Sequence, residues 1–558
     1  MRNTIFYAFL LGCLALLGFA RTGNAQLMRA KELFTKADSL RGQLTFLRSC
    51  YDVKYYHLDI RVDIPHKAIS GSNLFVFEAV EDFNKLQFDL FDNLSVDSVI
   101  YQGKLLPFTR TYNAVFVTFP RVIEKGKLDS FTVHYAGSPV QATRAPWDGG
   151  LVWKTDKNGL PFVATAVQGL GASAWWPNKD HLSDEADSML ISVAVPKNLI
   201  NVSNGRLVKT ENLPDGFTKY HWKVVNPINN YNVALNIGDY LHFQERYRGE
   251  KGLLDIGYYI LRENNSKKNK KHLRKNVTQT LAALEHWFGP YPFYEDSYKI
   301  VETPYLGMEH QSAIAYGNRF MNGYLGADRS HTGWGNKWDF IVVHESGHEW
   351  FGNNITAKDV ADMWIHESFT TYSEALFIDY HFGKEAGNAY LYGLRAGILN
   401  DSPMQGPFDV NKEGSVDMYI KGSILHHMIR TMLDNDMQWR NVLRGLNKKF
   451  YHQQVDYAAI LNEMCASTGI NLRPIFAQYI QHRDIPKLEV KEGENGGVMA
   501  RWIADVPNFS MPIHLGIKGQ NLQRVNLTAA FSQVPIAGLS TQNLQVDTLN
   551  YFIDLRVQ

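Results

Sequence analysis

Apolar and polar residues alternate through much of the first half of the chain. Runs such as "KYYHLDIRVDI", "SNLFVFEAV", "DSFTVHYAG" and "YNVALNIGDYLHF" repeat at every second position between turn residues, which predicts a large β domain over residues 50–242. A helix-like segment, "LMRAKELFTKADSLRGQLTFLRS", precedes it and predicts a short helical extension over 26–49. Beyond residue 242 the period lengthens towards that of a helix. "VTQTLAALEHWFG" predicts a helix stopped by Gly289-Pro290, and "FIVVHESGHEW", "DMWIHESFTTYSEALFIDYHFG", "MYIKGSILHHMIRTMLDN" and "YAAILNEMCASTG" follow. These place a mainly α domain over 243–485. Residues 486–558 return to strand-like runs, "GVMARWIADV", "SMPIHLGI" and "TLNYFIDLRVQ", and fit a small β-sandwich-like domain. The expected fold class is multidomain α+β. No internal repeat or low-complexity segment interrupts it.

The first residues, "MRNTIFYAFLLGCLALLGFARTGNAQ", have a different pattern. Arg2 is followed by a largely apolar run over 5–19 and by the small residues Gly23-Asn24-Ala25, which predicts a signal peptide over 1–25 and Gln26 as the first residue after cleavage. Export to the periplasm or the outside follows from it. "LLGC" offers a lipoprotein alternative at Cys13, but the apolar run continues past that cysteine, which suits a signal interior better. No later stretch is long and apolar enough to span a bilayer.

Composition narrows the partners. The formal net charge is +1, with 45% hydrophobic and 20% charged residues, so nothing argues for nucleic acid or an anionic membrane surface. One basic run, "SKKNKKHLRKN" over 266–276, reads as a solvated loop and helix start. Without the signal, Cys50 and Cys465 remain; they form no disulfide framework, and a single bridge stays open.

The candidate chemistry lies in "FIVVHESGHEWFGN", residues 340–353. Positions i and i+4 of a helix lie one above the other, so His344 and His348 project two ring nitrogens to one side. Glu345 sits about 100° round from His344 and leans over the same pocket. Two neutral imidazoles suit zinc, and a carboxylate beside the metal can take a proton from an activated water. Glu367, 19 positions after His348, is the candidate third ligand from the next helix. Three protein ligands with one open position make a catalytic rather than a structural site. Between the helices, Gly352, Asn353 and Asn354 read as turn residues. Glu374, one heptad beyond Glu367, has two readings: an acceptor that orients a ligand histidine, or a surface charge.

The block "HESGHEWFGNNITAKDVADMWIHESFTTYSEAL" resembles the gluzincin zinc aminopeptidase family, which includes aminopeptidase N and leukotriene A hydrolase. "PYLGMEHQSAIAYGN", "MYIKG" and "YDVKYYHLDIRVDI" resemble that family's exopeptidase motif, catalytic-tyrosine segment and first β domain. The resemblance implies a thermolysin-like catalytic domain, one Zn2+ per chain on His344, His348 and Glu367, and Glu345 as general base. It implies that Tyr419 donates to the oxyanion and that Glu309 and Gln168 hold the substrate ammonium, with Gly307 and Met308 as an edge strand beside the substrate backbone. Peptides with a free N-terminal amine are the implied substrates. Only 136 residues follow Gly422, so the family's C-terminal helical domain is expected to be absent. The usual Gly-x-Met-Glu-Asn here ends in His310; its protonation would alter the field on Glu309 near neutral pH. Two alternatives remain at this point: epoxide hydrolysis at the same site, and a non-enzymatic β-rich peptide-binding or surface-interaction protein.

Overall fold

The computed structural model describes residues 33–493 and 496–558. The expected signal peptide, the Cys13 alternative and the start of the helical extension lie outside the described residues. Residues 37–558 form one compact unit. Two short helices, α1 (Lys36–Gly42) and α2 (Phe46–Ser49), open it. Arg48 ties them to the strands that follow. Its guanidinium is fully buried, pairs with Asp89 at 2.5 Å and donates to the Arg41 and Asp180 carbonyls. A buried guanidinium is stable only when paired and hydrogen-bonded in this way.

The alternating segments form an eight-stranded sheet centred on Tyr51–Asp63, which pairs antiparallel with Ala68–Ala79 and parallel with Ser188–Pro196. Period-two burial along Tyr51–Asp63 turns Tyr51, Tyr56, Leu58, Ile60 and Val62 inward, against a second sheet carrying Phe83–Asp89 and Ala114–Ile123. Phe75, Phe77, Phe88, Phe119 and Phe131 fill the space between, with ring centroids 4.5–6.2 Å apart.

A five-stranded sheet comes next: Tyr240–Gly249, Gly252–Leu261, Tyr298–Glu302, Ile314–Tyr316 and, at its edge, Gly307–Met308. The first of these strands runs across residues 242 and 243, so the change of sheet comes at Gly238–Tyr240. Helix α3 (Lys267–Phe288) is capped by Ser266, which accepts from Asn269 N at 3.0 Å. The basic run is therefore helix from Lys267 on. α4 (Phe340–Gly347), α5 (Trp364–Phe382), α6 (Lys384–Leu394) and α7 (Asp417–Leu433) follow. Gly422 lets α7 approach α5 closely, since a Cβ there would lie 2.5 Å from Ser368 Cβ. The last strands form two small sheets, of four strands including Lys487–Glu492 and of three including Ser510–Ile517. The fold is thus multidomain α+β, with a β-rich first part, a helical middle and a β-rich end. Cys50 and Cys465 are both free thiols. No described helix is long and apolar enough to cross a membrane.

Candidate active site

The site forms where α4, α5, α7 and the Gly307–Met308 edge converge on a cleft of about 830 Å3. Asp339 caps α4, accepting from Val342 N, the Tyr316 hydroxyl and the Asn318 amide, so the start of the helix is anchored to the five-stranded sheet. The helix closes earlier than its sequence suggests. α4 ends at Gly347, and His348 is its C-cap, still in the right-handed region at φ −63° and ψ −22°. His344 and His348 consequently keep one face, with ring centroids 5.1 Å apart.

Each histidine has its inner nitrogen occupied. His344 Nδ1 lies 2.8 Å from Glu374 Oε1, and the other Glu374 oxygen accepts from the Tyr390 hydroxyl at 2.6 Å. Of the two readings of Glu374 the structure shows the first, since the side chain is fully buried against His344. His348 Nδ1 lies 3.1 Å from both the Phe351 carbonyl and the Thr370 hydroxyl. A ring that donates from Nδ1 offers the lone pair of Nε2. Both Nε2 atoms face Glu367 Oε2, at 3.8 Å from His344 and 3.5 Å from His348.

This geometry tests the fit of a metal. Glu367 Oε2 is buried and has no hydrogen-bond partner among the described residues, and the ligand atoms of His344, His348 and Glu367 lie within 4.8 Å of one another. Tetrahedral ligands at about 2.0–2.1 Å from zinc are about 3.3 Å apart, close to the observed spacing, and two imidazoles with one carboxylate leave the fourth corner open. The residues present fit zinc. Burial works against the charged form of Glu367, but the His348 and His344 rings outweigh it when they carry a proton in place of a metal, and then hold the carboxyl below its usual range.

Glu345 lies beside the trio rather than in it. Burial raises its proton affinity, opposed by the two histidines. Gly307 is packed against it, and a Cβ at that position would be 2.6 Å from Glu345 Oε1. Gly307 and Met308 pair with Tyr316 and Ala315 on one side only, so among the described residues the strand's other edge has no partner strand.

Glu309 follows on the same strand. It is 3% exposed, its Oε1 makes no hydrogen bond among the described residues, and burial raises its carboxyl, with Glu367 nearby adding to the shift and the Tyr231 hydroxyl opposing it. Asn353 steadies it, donating from Nδ2 to the Glu309 carbonyl at 2.9 Å while accepting from Asn232 at 2.8 Å. His310 departs from expectation. It is fully buried, both ring nitrogens lack partners among the described residues, and burial lowers its pKa to about 3, so it stays neutral at neutral pH and puts no charge beside Glu309.

Tyr419 extends from α7 and stacks on His344, with centroids 6.3 Å apart and planes at 18°. Burial, with Glu367, Glu413 and Glu309 nearby, keeps its phenol protonated and thus a donor. Gln168 borders the cleft and donates from Nε2 to Glu367 Oε1 at 3.3 Å, so its carbonyl oxygen is the atom left to accept from an ammonium. All nine candidate residues therefore gather at one cleft. Tyr390, Thr370, the Phe351 carbonyl and the structural use of Asn353 had no sequence signal beyond the turn at 352–354. Glu413 and Arg329 also line the cleft from loops without periodicity.

Residues 274–479 match the peptidase family M1 domain. Endoplasmic reticulum aminopeptidase 1 of Mus musculus is 25% identical over 58% of this chain and 35% of its own length. Probable aminopeptidase 1 of Saccharolobus solfataricus is 22% identical over 60% of this chain and 43% of its own. The chain thus spans less than half the length of these curated relatives. The crystal structure of an M1 zinc metallopeptidase from Deinococcus radiodurans superposes with a TM-score of 0.66 at 21% identity, covering 78% of this chain and 94% of that one. At that identity the likeness shows a shared fold. Residues 274–479 thus match a peptidase family M1 domain, and the chain is similar over about three fifths of its length to aminopeptidases of the gluzincin type.

Proposed function

We propose that this chain is a zinc-dependent aminopeptidase that removes the N-terminal residue from peptides, with one zinc per chain held by His344, His348 and Glu367. The observation that carries the reading is the unpartnered Oε1 of the buried Glu309, beside His348 and Glu345 and at the end of an edge strand. A buried carboxylate without a partner is costly, and a substrate ammonium relieves that cost. Chains whose amine is blocked leave it unrelieved, which selects for free N-termini.

The remaining groups divide the work. Zinc, when bound, polarises the scissile carbonyl and makes water a nucleophile near neutral pH. Glu345 accepts the proton of the attacking water on its carboxylate and delivers it to the leaving amine, and its burial-raised basicity suits both transfers. The Tyr419 hydroxyl donates to the carbonyl oxygen as negative charge develops there. The free edge of Gly307–Met308 hydrogen-bonds the substrate backbone and fixes its register. Gln168 offers its carbonyl to the ammonium from across the cleft.

The test is a panel of aminoacyl coumarin amides beside their N-acetylated forms, with and without a chelator. Free-amine substrates should be cleaved, chelation should abolish it, and acetylation should lower it at least as much as removing Glu309 does. Glu309→Ala should lower kcat/KM by roughly 10- to 150-fold, the worth of a charge-assisted hydrogen bond, and acetylation should add little to that loss. Internal cleavage of acetylated peptides at the same rate would refute the exopeptidase reading. The proposal includes export, which the apolar run over 5–19 and the small residues before Gln26 support. N-terminal sequencing of the secreted or periplasmic chain tests it, and an unprocessed Met1 would refute it.

A further inference from the structure

The cleft differs in charge along its length. Carboxylates gather around His348, where Glu309 and Glu345 meet it. Beyond His344 stands a cation, Arg329. Its guanidinium carbon lies 5.0 Å from the centre of the Phe340 ring and 5.7 Å from that of Tyr324. Phe340 in turn stacks on His344, with centroids 5.2 Å apart and planes at 16°. These two steps put the guanidinium within about 10 Å of the His344 ring, the reach of about three residues of extended chain.

Arg329 is half-buried and lines the cleft, and among the described residues no carboxylate pairs with it. The neighbouring Asp328 is already used, accepting from Ser330 N at 2.9 Å, from the Ser330 hydroxyl at 2.7 Å and from Gly333 N at 2.5 Å. The guanidinium lies over the Phe340 and Tyr324 rings, and among the described residues none of its N–H groups makes a hydrogen bond. Its planar fork of N–H groups matches a carboxylate with two parallel hydrogen bonds. A peptide held at Glu309 by its ammonium and running past His344 brings its own carboxylate to this place.

We infer that Arg329 receives the C-terminal carboxylate of the substrate, so that the preferred substrates are peptides of about three or four residues with both termini free. The inference rests on the aminopeptidase reading and deepens it. Arg329 is a specificity residue that binds substrate away from the scissile bond. Its contribution is to binding shared by ground and transition states, and so to KM rather than kcat.

The experiment uses the zinc-loaded full chain and three probes: Tyr-Ser-Ala, its C-terminal amide, and a tyrosyl coumarin amide that ends at the scissile bond. The wild type should favour the free acid over the amide by about tenfold or more, mainly through KM. Arg329→Gln should bring the acid down to the level of the amide and leave the amide and the coumarin substrate unchanged. Arg329→Lys, a cation without the fork, should recover part of the preference. Calorimetry of Tyr-Ser-Ala on Glu345→Gln, with and without Arg329→Gln, should show about tenfold weaker binding in the double variant. An acid-to-amide ratio that stays at the wild-type value in Arg329→Gln, with coumarin cleavage intact, overturns the Arg329 inference alone. A wild type that cleaves none of the three removes the aminopeptidase reading, and this inference with it.

Discussion

Removing the Glu374 carboxylate should weaken metal binding without touching a ligand. Glu374 Oε1 holds His344 Nδ1 at 2.8 Å and Oε2 holds the Tyr390 hydroxyl at 2.6 Å, all within a fully buried pocket. The first contact fixes both the tautomer and the rotation of the ring that presents Nε2 to the metal. Glu374→Ala frees the ring to rotate and to carry its proton on Nε2, where it blocks ligation. Loss of such a brace lowers metal affinity by about 10- to 100-fold, or roughly 1.4–2.8 kcal/mol. It also strands the Tyr390 hydroxyl, at about 1–3 kcal/mol of stability. Glu374→Gln keeps the shape, with its amide oxygen facing His344 and its NH2 facing Tyr390, and should lose less on both counts. Zinc affinity is read by competition with a chelator, and stability by melting of the metal-free chain. The reasoning fails if Glu374→Ala binds zinc within about threefold of wild type, or if the glutamine variant binds it more weakly than the alanine variant.

Other substitutions separate the remaining roles. Glu345→Gln should retain zinc but lose about 100- to 10,000-fold in turnover, because an amide moves no proton; near-normal turnover would remove Glu345 as the base. Tyr419→Phe should lower kcat by about 100- to 1000-fold with little change in KM, and a pure KM effect would contradict a donor to the oxyanion. Gly307→Ala places a methyl 2.6 Å from Glu345 Oε1 and 2.8 Å from Ile341 Cγ2, so turnover should fall at least about tenfold at a stability cost of about 1–3 kcal/mol. Unimpaired turnover would show that the base tolerates displacement. His427, buried on α7 with Nε2 2.9 Å from Asn550 Oδ1, has its pKa lowered by burial to about 4. The unfolded chain takes up that proton near pH 6.5, so the stabilisation is complete above about 6.5. It is lost as pH falls towards 4, by at most about 1.4 kcal/mol per pH unit. His427→Gln should make urea unfolding midpoints fall less steeply over that range, and an unchanged slope would exclude His427.

The parts legible in the sequence are those set by local periodicity. His344, Glu345 and His348 read as one constellation because helical spacing alone brings them together, and Glu367 followed because α5 is equally periodic. The alternation over 50–242 identified the β-rich part for the same reason. What stayed hidden depends on segments distant in the chain. Tyr390 reaches Glu374 from a separate helix, and Asn353, read only as a turn residue, links Glu309 to Asn232. The early end of α4 at Gly347 was not visible, because His348 keeps helical dihedrals beyond it. The basic run read as part loop because its charges mask the helical period that the Ser266 cap begins. His310 reads in the sequence as a residue that can titrate near neutral pH, and its complete burial, a tertiary property, removes that role.

The two unpartnered oxygens at the site account for the division of labour better than any single residue. Glu367 Oε2 and Glu309 Oε1 are both buried, neither makes a hydrogen bond among the described residues although the Tyr231 hydroxyl lies near Glu309, and they sit at different places, on α5 and just after the Gly307–Met308 edge. A buried carboxylate oxygen is tolerable only when a cation or donor completes it. Two such atoms therefore ask for two cations, and their surroundings distinguish which. Glu367 Oε2 faces the Nε2 atoms of two imidazoles, a softer donor set that suits a transition metal. Glu309 Oε1 sits beyond that set, beside the free edge of a strand, where an arriving backbone supplies its own amine. Glu345, also acidic and wedged between them against Gly307, is kept basic by the burial that makes the other two costly. Under the proposed function the same desolvation would do three things at three carboxylates: retain a metal, select a free N-terminus and prepare a base.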